Sequence, residues 1–85
     1  MYYVYLLKSK KDNKLYIGLT DDLRKRITEH NQGLTRSTKY RRPLVLIYYE
    51  AYVSLKDAQV RERKLKKFKN SYDELKKRII NSLQM

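Results

Sequence analysis

A chain of 85 residues with no cysteine has room for one domain, and it can build neither a disulfide framework nor a cysteine zinc site. Its 21 Lys and Arg stand against 9 Asp and Glu, and the net charge of +12 exceeds what solubility requires. That excess predicts a polyanionic partner, with the phosphates of nucleic acid, DNA above all, as the first candidate.

The segment Met1–Leu7 is apolar over too short a run for a secretory core or a membrane span. The expected location is therefore the cytoplasm, with no membrane association. Two glycines and one proline leave no linker, and no repeat or low-complexity stretch appears. The reading is a single domain over residues 1–85, with a motif core over about 2–68 and a C-terminal helix over about 71–84.

Tyr2–Leu7 is aromatic and β-branched enough for a strand. Asp12-Asn13 marks a turn, and Leu15–Leu19 reads as the returning strand of a hairpin. Thr20 or Asp21 is expected to cap a first helix carrying Leu23 and Ile27, with Arg26 and His30 beside them and Gly33 as its stop. Thr35–Arg42 is a polar loop with basic residues Arg36, Lys39, Arg41 and Arg42, closed by Pro43. Leu44–Tyr52 is the most strand-like segment and is predicted to be the central strand.

Ser54 is expected to cap a second helix, with Leu55, Ala58, Leu65 and Phe68 at helical spacing. Ser71-Tyr72-Asp73-Glu74 matches a capping box opening a third helix, whose Leu75, Ile79 and Leu83 share a face. The order β-β-α-β-α-α predicts an α+β fold, a small three-stranded antiparallel sheet flanked by helices.

Three features exceed the needs of a core. Tyr3 and Tyr5 share a strand face that the hairpin can bring alongside Tyr16, although cross-strand aromatic packing alone explains such tyrosines. Arg26 and His30 are one helical turn apart, although an arginine can snorkel from a core edge and a histidine can satisfy a carbonyl. Glu62 shares the inward face of Ala58 and Leu65, where a carboxylate is costly unless it pairs with a base or binds a cation.

Together they suit phosphodiester hydrolysis. One carboxylate can hold a hydrated Mg²⁺, an arginine can bind charge on the phosphate, and a tyrosine of lowered pKa can take a proton from water. No Ser-His-Asp set or Gly-rich phosphate loop is available, and no small-molecule cofactor is expected. The acids Asp12, Asp21, Asp22, Glu29, Glu50, Asp57, Asp73 and Glu74 fall mostly in turns, caps and exposed positions, a poor basis for a two-metal site.

The stretch from Tyr16-Ile17-Gly18 through Arg26 to His30-Asn31 resembles the strand-to-helix segment of the GIY-YIG nucleases, and Glu62 in Ala58–Lys66 matches the family's glutamate. Arg41-Arg42-Pro43 resembles a segment of the small stand-alone branch. The resemblance covers about Tyr2 to Phe68. It implies a single Mg²⁺ or Mn²⁺ on Glu62, Tyr16 as general base, Tyr5 as second tyrosine, Arg26 as transition-state clamp, and His30 orienting water or binding phosphate. The order of the two tyrosines stays open. The first signature reads Tyr3-Val4-Tyr5, without the family's glycine and isoleucine, and Leu19 stands where some members carry lysine.

The leading expectation is a metal-dependent endonuclease. Its phosphate contacts would be Arg36, Lys39, Arg41 and Arg42 in the loop and Lys64, Lys66 and Lys67 on the second helix. No residue reads as a base-edge reader, so low sequence specificity follows. A binding module that keeps the fold without catalysis is the alternative, since no separate DNA-recognition domain is present. A third reading makes Tyr48, Tyr49 and Tyr52 an interface for an acidic partner or a second copy, against their packing within a sheet. A protein partner for targeting is compatible with the first two.

Overall fold

The hairpin turn is built by side chains as much as by backbone. Ser9 Oγ accepts from the amides of Lys11 at 3.1 Å and Asp12 at 3.2 Å, and Asp12 Oδ1 accepts from Lys14 N at 2.9 Å. Asn13 takes a left-handed conformation, φ 62°, which asparagine tolerates better than most residues. The turn joins β1 (Tyr2–Ser9) to β2 (Leu15–Thr20) in the computed structural model, which describes residues 1–85. The chain continues through α1 (Leu23–Asn31), β3 (Leu44–Tyr52), α2 (Leu55–Lys67) and α3 (Lys69–Arg78), with 3₁₀ turns at Lys39–Arg41 and Ser82–Gln84.

The sheet is three-stranded and antiparallel in the order β2-β1-β3. The central strand is therefore β1, and β3, expected at the centre, lies at an edge. The physical reason is in the hydropathy. Val4-Tyr5-Leu6-Leu7 is buried without a break, the mark of a strand covered on both faces, whereas no two neighbouring residues of β3 are fully buried. A bulge between Leu6 and Leu7 shifts the register against β3.

The helices divide between the two faces. Val4 and Leu6 pack with Ala58 and Leu65 of α2, Leu75 of α3 and Ile79 just beyond it. Tyr5 and Leu7 pack on the other face with Leu44, Tyr16, and Leu23 and Ile27 of α1.

Several local signals shift on inspection. Asp22, not Thr20 or Asp21, caps α1: its Oδ1 accepts from Lys25 N at 3.1 Å, while Thr20 Oγ1 accepts from Asp22 N at 3.1 Å. Gly33, with φ 80°, follows the helix as expected, and Ser54 caps α2 through Asp57 N at 3.4 Å. The capping box at Ser71–Glu74 does not form. α3 starts two residues earlier, separated from α2 by Phe68 alone, and no side chain caps it. It ends at Arg78 rather than running to residue 84. Leu55 and Phe68, expected inward, are 41% and 57% exposed, leaving Ala58 and Leu65 as the buried residues of α2.

Candidate active site

The site begins with the pairing of β1 and β2. Their register sets Tyr5 opposite Gly18 and Leu7 opposite Tyr16, so Tyr5 and Tyr16 project from one face with ring centres 6.4 Å apart. The Tyr5 ring lies directly over Gly18. A Cβ at that position would stand 2.2 Å from Tyr5 Cζ, so only glycine lets this tyrosine lie down. His30 completes a group of three rings, 5.9 Å from Tyr5 and 5.0 Å from Tyr16.

His30 is fully buried, with Nε2 2.9 Å from Tyr5 Oη and Nδ1 2.7 Å from Thr38 Oγ1. Burial, and then the charge of Arg26, hold its pKa below the ordinary histidine value, so the ring is neutral. A neutral imidazole has one donor and one acceptor, and two hydroxyls satisfy both. Both nitrogens of His30, expected to bind phosphate or orient water, are engaged inside the fold, one by Tyr5 and one by Thr38. Thr38 is the member that sequence reasoning missed, because it reaches the histidine from a loop and carries no local signature.

Burial pushes the Tyr5 phenol up to about 12, with Tyr16 and Glu62 adding to the rise and the neighbouring Arg26 only partly offsetting it. Tyr5 therefore stays protonated at neutral pH. Arg26, one turn before His30, is about one-third exposed and pairs with Glu29 at 3.2 Å. Burial works against its charge, but Tyr5 and Glu29 more than compensate, so its pKa is raised.

Glu62 comes from α2, which packs across β1 and β2. Its side chain is 23% exposed and meets Lys66 at 3.2 Å, so the expected pairing with a base is made one helical turn on and not with Arg26. No group of three or more His, Cys, Asp or Glu residues exists that could cage a metal. That donor set does not fit zinc or a two-metal centre. It fits a single hard cation such as Mg²⁺, which takes one or two carboxylates and keeps most of its waters.

Of the expected phosphate contacts, Arg36, Lys39, Arg42, Lys64, Lys66 and Lys67 are exposed. Arg41 is not available: it pairs with Asp12 at 3.3 Å and donates to Leu15 O at 3.4 Å, bracing the hairpin turn.

Comparison with known proteins places the chain in a family. The family model described as the GIY-YIG catalytic domain matches residues 1–78. The chain belongs to the GIY-YIG family. The chain is 46% identical to the UPF0213 protein SH2523 of Staphylococcus haemolyticus over 68 residues, 79% of this chain and 82% of that one. It is also 46% identical to the UPF0213 protein CPE1444 of Clostridium perfringens over 68 residues, 79% of this chain and 72% of that one. The solution structure of the UPF0213 protein BH0048 from Bacillus halodurans superposes with a TM-score of 0.56 at 32% identity, covering 88% of this chain and 82% of that one.

The GIY-YIG chain thus joins the small branch of a nuclease-type family, and no helix in it is long and apolar enough to cross a membrane. Its departure from the first signature has a structural explanation. Tyr3, standing where the family has glycine, packs edge-on against Tyr49 of β3 at 5.8 Å, on the same strand face as Tyr5. Val4 fills the isoleucine position inside the α2–α3 core.

Proposed function

We propose that this GIY-YIG domain is a metal-dependent endonuclease that hydrolyses nucleic-acid phosphodiester bonds with low sequence specificity. The observation that supports the reading is the cluster of Tyr5, Tyr16 and His30 rings beside Gly18, with Arg26 one helical turn before His30 and Glu62 supplied by α2. A hydroxyl held by His30, which Thr38 holds in turn, is a preorganised hydrogen-bonding group.

The roles follow from the protonation states. Tyr5 Oη is bonded to His30 Nε2 and His30 Nδ1 to Thr38 Oγ1, so the protonated phenol is held in a fixed place within the site. Tyr5 cannot serve as base with its pKa near 12, so Tyr16 is assigned to take the proton from water. Arg26 neutralises the charge that grows on the non-bridging oxygens. A single Mg²⁺ or Mn²⁺ on Glu62 would supply the remaining positive charge at the phosphate and the leaving oxygen. Lys66 occupies that carboxylate otherwise, at a half-exposed position from which it is free to swing.

The test is cleavage of labelled single-stranded, duplex and branched DNA and of RNA by the purified chain, with Mg²⁺, with Mn²⁺ and with EDTA. Cleavage in metal that is lost in EDTA supports the reading, and the substrate panel ranks DNA against RNA. Salt-sensitive binding without cleavage in either metal replaces it with a non-catalytic binding module.

A further inference from the structure

The loop between α1 and β3 carries an aromatic ring that the core does not use. Tyr40 is 75% exposed, yet its backbone is firmly held. The carbonyl of Lys39 accepts from Arg42 Nε at 2.8 Å, that of Tyr40 from Lys11 Nζ at 3.2 Å, and that of Arg41 from Ser9 Oγ at 2.6 Å. Two residues earlier, Thr38 is bonded to His30. Just beyond, Asn31 ties down Leu44 through both its amide groups, at 2.8 and 2.9 Å. A large side chain left in water on so constrained a backbone loses little entropy when it is covered.

Its surroundings indicate what would cover it. An open cleft of about 540 Å³ is lined by Lys11, Asn31, Lys39, Tyr40, Arg42 and Pro43, three cations and no acid. Lys39 Nζ already sits 5.5 Å from the Tyr40 ring centre. An aromatic platform set among cations is the arrangement that binds unpaired nucleotides, the ring stacking on a base while the cations hold adjacent phosphates. In a duplex the base faces are occupied by their neighbours, so the platform has nothing to stack on.

We propose that Tyr40, with Lys11, Lys39 and Arg42, forms a stacking subsite for an unpaired nucleotide, connected through Thr38 and His30 to the catalytic tyrosine. The subsite directs the domain to single-stranded or branched nucleic acid. The proposal rests on the nuclease reading for its class of ligand, but its test does not depend on cleavage.

The experiment measures binding of the full chain in EDTA to a labelled single-stranded oligonucleotide and to the matching duplex, by fluorescence anisotropy. Tyr40→Ala is expected to weaken single-strand binding about tenfold while changing duplex binding by less than about twofold, and Tyr40→Phe to retain both. The chain has no tryptophan, so Tyr40→Trp introduces a unique emitter that single strands should quench and duplex should not. Equal losses on both ligands for Tyr40→Ala, or an unquenched tryptophan in the single-strand complex, would overturn the subsite and leave the nuclease reading standing. A wild-type chain that binds neither ligand removes both. Thermal melts of the variants confirm that each is folded.

Discussion

The domain carries two groups built from tyrosine, arginine and glutamate, and only one of them is finished. On the α2–α3 face, Glu50 accepts from Tyr48 at 2.6 Å, from Tyr52 at 2.5 Å, and from Arg61 through Nε and Nη2, both at 2.9 Å at their shortest. Burial works to raise the Glu50 pKa, but Arg61 and the two hydroxyls outweigh it and hold the carboxyl below its ordinary value. Every strong donor in that group points inward at one acceptor. In the candidate site, Tyr5 is held by His30 and Thr38, while Arg26 of α1 and Glu62 of α2 form ion pairs only within their own helices. Similar residues thus give structure where their bonding capacity is used up and a candidate reaction site where some of it is left over.

Breaking the unfinished side should change activity far more than stability. Arg26→Ala is expected to lower the cleavage rate by about 10²–10³-fold. Because its ion pair with Glu29 is partly exposed, the melting temperature should move little. A stopped assay with melting curves on the same sample separates the two effects. Gly18→Ala should damage both properties. The added methyl cannot coexist with the Tyr5 ring, and displacing that ring costs about 1–3 kcal/mol of overpacking and removes the site's hydroxyl from its place. Urea titration with a cleavage assay reads both losses.

Breaking the finished side should do the reverse. Glu50→Ala leaves Arg61 and two tyrosine hydroxyls without their acceptor, for a loss of about 2–3 kcal/mol in denaturant titration, with the cleavage rate per folded molecule preserved.

Titration sharpens the comparison with smaller effects. Tyr5, Tyr48 and Tyr52 are each pushed up to about 12, chiefly by burial. The unfolded chain therefore releases these protons first, and stability is lost as pH rises from about 10 toward 12. His30 has a lowered pKa, so the unfolded chain takes up its proton first, and stability falls as pH drops below the ordinary histidine range near 6.5. Melting temperatures across both windows check the signs, and a flat profile through the histidine window would contradict a neutral buried His30.

Much of the candidate site was legible in the sequence because its parts carry local signatures. The YIG triplet, the Arg26–His30 spacing and an inward carboxylate at Glu62 are all visible along the chain, and so are the strands and the Ser54 cap. What was not legible depends on contacts between distant segments. Thr38 and Glu50 are ordinary polar residues until the fold brings His30 and Arg61 to them. Glu50 in particular reads as a surface acid because it lies in a strand whose edge position follows from which strand pairs with which, not from its own composition. Ser71 gives a valid capping pattern, but Phe68 starts the helix earlier, and tertiary packing of Leu75 and Ile79 outweighs a capping preference worth about 1 kcal/mol.

The two groups have different jobs, one holding the fold and one serving the reaction, and a pair of substitutions separates them. Glu62→Gln and Glu50→Gln each remove one negative charge at nearly constant shape. Cleavage rate with Mg²⁺ and unfolding free energy should be measured on both. The account predicts that Glu62→Gln unfolds like the parent and does not cleave, and that Glu50→Gln unfolds more easily and cleaves at the parent rate while folded. Undiminished cleavage by Glu62→Gln, or a Glu50→Gln variant that is stable and inactive, would contradict it.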